Sequence, residues 1–391
     1  MRPSTTTKTT LIAAAIAAGA LCGAASRAFA GYVQTDLVSD IAGLAQLTEP
    51  ELHNPWGMSH SPTSPTWTSN QGTGTANLFS ITPTLTVTKV QPTGTDGNIA
   101  VPPGAGVGIG PTGQVNNTST STFLVGNGGD NKSAHFMFAN LNGTISAWDT
   151  GQTAFVQATT PGAVYTGLAI NGAQDRLYAA NGAGAGGIDV FGSDFKPVSL
   201  SAGAFTDPNL PKGFVPFNVQ EIGGKVYVTY APQGRAAQTS ATPGMGFIDV
   251  YDEDGGNLQR LVSNSQLAAP WGMTLAPQGF GEFGGDLLVG NFSFKASEIN
   301  AFDPTSGIFE GTIPIDPGSG NDPGGLWALI FGNGAAGGDP NTLFFTDGIN
   351  GETDGLFAAL RPVPEPASLI LLGAALAFGA VARRRRPLAT A

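Results

Sequence analysis

The chain has 391 residues, of which 12% are charged, and it carries a formal net charge of −11 and a single cysteine. Seven of the 17 lysines and arginines lie in the two chain ends, so the part between them is more acidic still. This balance argues against nucleic acid and against anionic membrane surfaces as partners. Cys22 lies in a segment that we expect to be removed, which excludes disulfides and thiolate metal sites from the rest.

The amino end has the composition of a cleaved secretory signal. Arg2 and Lys8 precede an uncharged apolar run over 11–25, and the segment ends with small residues at Ala28 and Ala30. Signal peptidase recognises segments with a basic start, an apolar middle and an A-x-A end. The alternative interpretation is a membrane anchor or a buried helix. We therefore predict a helical signal peptide over residues 1–30, cut after Ala30.

The body, residues 31–361, repeats one pattern of alternating apolar residues that ends in an aromatic and a turn. Clear copies are "ISAWDT" at Ile145, "IDVFGS" at Ile188, "IDVYDEDGG" at Ile248 and "INAFDPTSG" at Ile299; weaker ones are "LFSITPT" at Leu78 and "LFAAL" at Leu356. Period-two alternation that stops at Asp, Gly, Pro or Ser indicates a strand running into a tight turn. Six copies at spacings of about 50 residues indicate a repeat architecture.

Further strands flank each copy. A second strand precedes most copies at His135, Arg176, Lys225, Asp286 and Thr342, and a first strand precedes that one at Pro55, Thr122, Tyr165, Pro216, Pro270 and Gly325. Outer strands follow at Leu85, Phe155, Leu258 and Ile308. Four strands in each of six units predict an all-β, six-bladed β-propeller, with a β-sandwich and a β-helix as alternatives.

The last unit lacks an outer strand, because "LFAAL" runs directly into Arg361-Pro362. A strand-like segment over 32–38 at the other end of the body has no unit of its own. We expect this segment to pair with the sixth blade, which closes the ring and removes an exposed sheet edge.

Candidate functional residues are few. The loop "DGINGETDG" offers oxygen ligands suited to calcium at Asp347, Asn350, Glu352 and Asp354. No other metal, no cofactor and no catalytic residue is predicted, because no nucleophile elbow or phosphate loop with its Lys-Ser/Thr occurs. Calcium at this loop therefore stands as the one ion that the sequence suggests.

Three tryptophans, Trp56, Trp271 and Trp327, fall at matching positions of three units, two of them within "PWGM". Such residues pack between sheets in most propellers. The alternative is an aromatic platform on one face, on which the rings of a sugar could stack.

The carboxyl end, residues 362–391, combines a proline-rich hinge, an apolar run and a basic cluster. The hinge is Val363-Pro364-Glu365-Pro366, and the apolar run covers 367–382. As a helix, that run would span roughly 24 Å, which crosses a bilayer only with some thinning. The basic cluster consists of Arg383, Arg384, Arg385 and Arg386, which would stay on the cytoplasmic side.

The order Pro-Glu-Pro, apolar helix, arginine cluster resembles the PEP-CTERM sorting signal of Gram-negative bacteria. The resemblance implies processing by the membrane enzyme exosortase, after transient anchoring in the inner membrane, and delivery to the outer surface or the extracellular matrix. The "PWGM" and "IDVYDEDG" repeats resemble exported NHL- and YVTN-type propellers, and the body is similar to uncharacterised PEP-CTERM propeller proteins. That family brings no agreed site residues.

The function expected from these observations is a non-catalytic binding or interaction module with a polysaccharide or a protein as ligand. Two alternatives remain open. One is a metal-dependent enzyme, such as a lactonase-like hydrolase or a lyase, with its site at the central channel; the other is a structural component of the biofilm matrix.

Overall fold

The computed structural model describes residues 31–104 and 109–363, together with the backbone of 27–29. The predicted signal residues 1–26 and Ala30 lie outside the described residues, as do Pro364, Glu365, Pro366, the apolar run and the four arginines. Within the described residues, no helix is both long and apolar enough to cross a membrane.

Six sheets of mainly antiparallel strands are arranged as six blades of a β-propeller. The first strands of the chain belong to the last blade: β1 (Arg27–Phe29), β2 (Tyr32–Ser39) and β3 (Leu47–Thr48). Blade 1 holds β4 (Pro55–Ser59), β5 (Thr66–Asn70), β6 (Thr75–Ile81), β7 (Val87–Lys89) and β8 (Asn98–Ala100). Blade 2 holds β9 (Pro111–Asn116), β10 (Phe136–Asn140), β11 (Thr144–Trp148) and β12 (Phe155–Thr159).

The remaining blades follow in chain order. Blade 3 holds β13 (Tyr165–Ile170), β14 (Arg176–Asn181) and β15 (Gly187–Gly192). Blade 4 holds β16 (Phe214–Ile222), β17 (Lys225–Pro232), the short helix α1 (Arg235–Thr239), β18 (Phe247–Tyr251) and β19 (Gln259–Ser263). Blade 5 holds β20 (Pro270–Leu275), a 3-10 turn (Gly281–Phe283), β21 (Leu287–Asn291), β22 (Glu298–Phe302) and β23 (Phe309–Pro314). Blade 6 holds β24 (Leu326–Phe331), β25 (Leu343–Asp347), the helical turn α2 (Ile349–Glu352) and β26 (Leu356–Pro362).

The predicted ring closure is confirmed. Strand β2 pairs antiparallel with β26, with Tyr32 opposite Pro362 and Ser39 opposite Leu356. The Tyr32 hydroxyl donates to the carbonyl oxygen of Phe280 in blade 5 at 2.8 Å, which fixes the strand to the neighbouring blade as well. The amino-terminal segment therefore supplies the outer strand of the sixth blade.

Two details of the strand prediction are wrong. The first strand of blade 2 is β9, and the predicted segment at Thr122 is instead a loop in which Phe123 is buried with a left-handed backbone (φ 53°). Blade 3 has three strands rather than four, because the chain after Gly192 makes only an isolated bridge, between Phe191 and Pro197.

Glycines set the distance between the first strands around the axis. A Cβ added at Gly113 would lie 2.3 Å from the backbone nitrogen of Leu168, and one at Gly272 would lie 2.1 Å from the carbonyl oxygen of Trp327. Such distances are far inside van der Waals contact, so the strands of adjacent blades approach only where a side chain is missing. The Gly in "PWGM" has this role.

We call the face at which first strands begin and second strands end the upper face. The lower face is the opposite one, where first and third strands end. Because neighbouring strands are antiparallel, the loops from second to third strands, with α1 and α2, belong to the upper face.

Candidate functional site

The six blades place equivalent residues around the axis just below the upper face. These residues lie in the first half of each first strand and are Trp56, Thr112, Thr166, Phe217, Trp271 and Trp327. Their equivalence follows from the pairing: Pro55 is opposite Asn70, Pro111 is opposite Asn140, and Pro270 is opposite Asn291. The three sequence-predicted tryptophans thus meet at one level of the channel.

The tryptophan rings pack on one another and close the channel. The ring centroids of Trp56 and Trp327 are 3.5 Å apart at an interplanar angle of 21°, and Trp271 meets both edge-on at 6.1 and 5.5 Å. Trp56 is 6% exposed, Trp271 is 4% and Trp327 is 0%. Their faces are used for packing, so they form the floor of the upper face and do not present a bare stacking surface.

A cavity of about 600 Å³ lies above this floor. Its apolar lining comes from Trp56 and Trp327 together with Leu141, Val164, Phe217 and Phe292. Its polar lining comes mainly from loops of blades 1, 4 and 6: Asn54, Gln71, Gln233, Arg235, Gln238 and Glu352. The cavity is therefore built by the whole ring rather than by one blade.

A hydrogen-bond network ties the floor to the rim. The Trp327 indole N–H donates to Oδ1 of Asn54 at 2.9 Å, and the Asn54 amide donates to Gln71 Oε1 at 2.8 Å and to Glu352 Oε1 at 3.3 Å. Glu352 also forms an ion pair with Arg235, which links blade 6 to blade 4 across the mouth. The one carboxylate and the one guanidinium that line the cavity thus neutralise each other.

Two polar side-chain groups that line the cavity have no hydrogen-bond partner among the described residues. No hydrogen bond from the side-chain amide of Gln238 to another described residue is found, and the Trp56 indole N–H has no acceptor among the described residues. Arg235 is 55% exposed although its partner, Glu352, is only 6% exposed. The Gln238 amide and the exposed part of the Arg235 guanidinium are therefore open to a ligand, whereas the Trp56 indole nitrogen is buried.

Below the tryptophan floor, the pocket inside the channel has a volume of only about 70 Å³. It is lined there by small and apolar residues of the first strands, such as Gly57, Met58, Gly272 and Met273, together with Gln114 and Asn218. The amide nitrogens donate to backbone carbonyls, Gln114 to those of Gly57 and Trp67 and Asn218 to that of Trp271, whereas Oε1 of Gln114 has no partner among the described residues. The upper cavity, at about 600 Å³, offers more room than this interior, and a second pocket of about 410 Å³ lies at the lower mouth, where the first strands end.

The four predicted calcium ligands are spread over this side of blade 6. Glu352 faces the cavity, whereas Asp354 accepts a hydrogen bond from the Asn350 amide at 2.9 Å within the loop. Asp347 is fully buried, and its two carboxylate oxygens have no hydrogen-bond partner in the described chain. Within residues 31–104 and 109–363, no three His, Asp or Glu side chains are grouped to hold a metal ion.

Sequence reasoning missed most of the polar rim. Asn54 stands directly before a first strand, Gln71 lies in a hairpin, and Arg235 and Gln238 lie on helix α1. None of these positions belongs to a recognisable motif. The one available signal was the position of Asn54 directly before "PWGM", because a first strand begins at the upper face of its blade.

The tail is matched by a known family model. The model described as the PEP-CTERM protein-sorting motif covers residues 362–386. The chain carries a PEP-CTERM sorting motif. This motif marks the protein for exosortase-dependent export, with a propeller as the exported body.

Other comparisons cover the body. An uncharacterized protein of Acanthamoeba polyphaga mimivirus is 28% identical to the PEP-CTERM chain over 339 residues, which is 83% of this chain and 78% of the relative. A structural genomics protein of unknown function from Bacteroides thetaiotaomicron has a TM-score of 0.51 at 10% identity, covering 84% of this chain and 76% of that one. That likeness shows the fold alone.

A gluconolactonase from Xanthomonas campestris is a more distant neighbour. It has a TM-score of 0.38 at 17% identity and covers 58% of the PEP-CTERM chain and 82% of its own. A likeness of this size carries no argument about activity.

Proposed function

We propose that the protein is an exported, non-catalytic binding module that takes a neutral, hydroxyl-rich ligand, a saccharide, in the upper cavity. The observation that carries this proposal is the cavity itself, with apolar walls and a polar rim. Its volume of about 600 Å³ lies within the range of small-molecule sites, roughly 300–1,000 Å³. After sorting, the module would act at the outer surface or in the extracellular matrix.

The charge of the site supports a neutral ligand. Arg235 and Glu352 form an ion pair, so a ligand with a net charge would have to compete with an existing partner. The side-chain amide of Gln238 has no partner among the described residues and can both donate and accept hydrogen bonds, which suits hydroxyl groups that do the same. The Asn54 and Gln71 amides are hydrogen-bonded within the protein and hold the rim in place.

The apolar part of the site supports a ligand with a hydrophobic face. Leu141 and Val164 line one wall of the cavity, and Val164 is 37% exposed. Sugar rings combine apolar C–H faces with hydroxyl edges, so they match a site that is apolar on the walls and polar on the rim.

The test is calorimetric titration of the processed protein from its native cells with neutral oligosaccharides, and with acidic ones such as oligogalacturonate for comparison. We expect saturable binding of at least one neutral saccharide. In the Ala183→Phe variant, the new ring would fill the cavity and weaken binding at least about tenfold, or ~1.4 kcal/mol.

The matched control is Ala185→Phe, because Ala185 is exposed on the same loop and does not line the cavity. It should bind as the unchanged protein does. Absence of binding to every neutral saccharide, or equal loss in both variants, would contradict the proposal. Release of a reaction product during the titration would show that the module is an enzyme.

A further inference from the structure

Both ends of the described body meet at one corner of blade 6. The backbone N–H of Val363 donates to the carbonyl oxygen of Gly31 at 2.8 Å, one step beyond the pairing of Tyr32 with Pro362. Gly31 follows the predicted signal cleavage site, and Val363 opens the sorting motif. The points at which the two transport segments join the body are therefore neighbours.

This corner lies on the lower face. A Cβ added at Gly281, in the hairpin between the first two strands of blade 5, would lie 2.8 Å from Pro362. The other end of β26 is at the upper cavity, because the N–H of Asn54 donates to the carbonyl oxygen of Asp354, two residues before the strand begins. Strand β26 thus runs from the cavity rim down to the tail junction.

Lengths decide how the body can sit when the tail is in a membrane. Strand β26 has seven residues, which at about 3.3 Å per residue separates the rim from the junction by about 23 Å. Three residues, 364–366, connect Val363 to the apolar run, and three residues of chain reach at most about 11 Å. The link is too short to bring the upper face of blade 6 against the bilayer.

We infer that the membrane-tethered precursor holds its lower face toward the bilayer and its upper cavity away from it, so the cavity is open to ligand before the tail is cut. This inference rests on the proposed function of the cavity and on the predicted membrane insertion of 367–382. Sorting would then release a module that is already able to bind, rather than activate one.

Orientation is measured with single fluorescent labels on the full chain in phosphatidylcholine vesicles that contain a headgroup quencher. In a Cys22→Ser background, the label is placed at Ala185→Cys on the upper face, at Thr63→Cys on the lower face beside blade 6, or at Ala173→Cys on the lower face of blade 3. All three residues are exposed. We expect the Thr63 label to be quenched more strongly than the Ala185 label.

Three results would overturn the inference. The Ala185 label could be quenched at least as strongly as the Thr63 label, or the full chain could fail to float with the vesicles. The third is binding of a saccharide by the processed protein but not by the tethered chain. If neither form binds any saccharide, the proposed function fails, and the quenching pattern still decides the orientation. The Ala173 label distinguishes a body lying on its lower face from one standing on blade 6.

Discussion

The rings of Trp56 and Trp327 stack at the channel mouth, although one belongs to the first blade and the other to the sixth. Their contact joins the sixth blade, which the amino-terminal strand completes, to the first blade. The same rings form the floor of the upper cavity, so packing between the first and sixth blades and construction of the cavity depend on one cluster.

Removing Trp327 should destabilise the whole body. Trp327 is fully buried and contacts the rings of Trp56, Trp271 and Phe292. Trp327→Ala should lower the free energy of unfolding by about 3–5 kcal/mol, measured by urea denaturation. Trp327→Phe, which keeps part of the contact, should cost less. Equal, small effects of both changes would show that the cluster does not support the fold.

The closing strand β2 should stabilise the folded body through the packing of Tyr32. Tyr32 is 1% exposed and packs on Phe280 and Phe283, with ring centroids 4.8 and 5.8 Å away. Tyr32→Ala should cost about 3 kcal/mol or more, whereas Tyr32→Phe should cost about 1 kcal/mol for the lost hydrogen bond. An alanine variant as stable as the parent would mean that the ring holds without its amino-terminal strand.

A glycine at the axis should be irreplaceable. In Gly113→Ala, the new Cβ would meet the backbone of Leu168 in the next blade at 2.3 Å, and a backbone cannot move aside as a side chain can. We expect a loss of about 1–3 kcal/mol or more in thermal or urea unfolding. The control is Gly172→Ala, whose Cβ meets nothing within 4 Å. Similar effects of the two substitutions would contradict the close packing of first strands.

Asp347 should destabilise the protein at neutral pH. It is fully buried without a hydrogen-bond partner in the described chain, and this burial raises its pKa well above the usual value. The folded state therefore holds the proton more tightly than the unfolded state, and stability falls as the pH rises above about 4. Asp347→Asn should stabilise the protein by about 1–3 kcal/mol at neutral pH, and the gain should disappear near pH 4.

Urea denaturation of the parent protein and the Asp347→Asn variant across this pH range measures the sign of the predicted stability difference. Asn70, Asn140 and Asn291 occupy the same position in other blades, which makes asparagine a compatible replacement. A variant that is less stable at neutral pH, with the difference removed by a chelator, would instead show that the carboxylate holds calcium, as the loop sequence suggested.

The fold followed from the sequence where strands alternate and end in turn residues. "IDVY" and "INAF" are such segments, and both are third strands, β18 and β22. The prediction failed at β9, because its sequence "PTGQVN" has no aliphatic alternation. Close packing at the axis requires glycine at Gly113, and the side-chain amide of Gln114 donates to a backbone carbonyl. The apolar segment at Thr122 was mistaken for that strand because Phe123 is buried from a loop.

The site was only partly predictable for a different reason. Trp56, Trp271 and Trp327 share a strand position, so a repeat comparison finds them. Arg235 and Glu352 share nothing in sequence, and only the ring brings their loops together across the mouth. Contacts between distant loops leave no local pattern from which a partner can be read.

The most direct test of the cavity as a binding site uses the indole N–H signals of the five tryptophans in a nitrogen–proton NMR spectrum. Trp67 and Trp148 pack between blades 1 and 2, away from the cavity, and serve as internal controls. On titration with a bound neutral saccharide, the Trp56 signal, identified by its loss in Trp56→Phe, should shift saturably while those of Trp67 and Trp148 stay in place. A saturated complex in which the Trp56 signal has not moved would contradict the account.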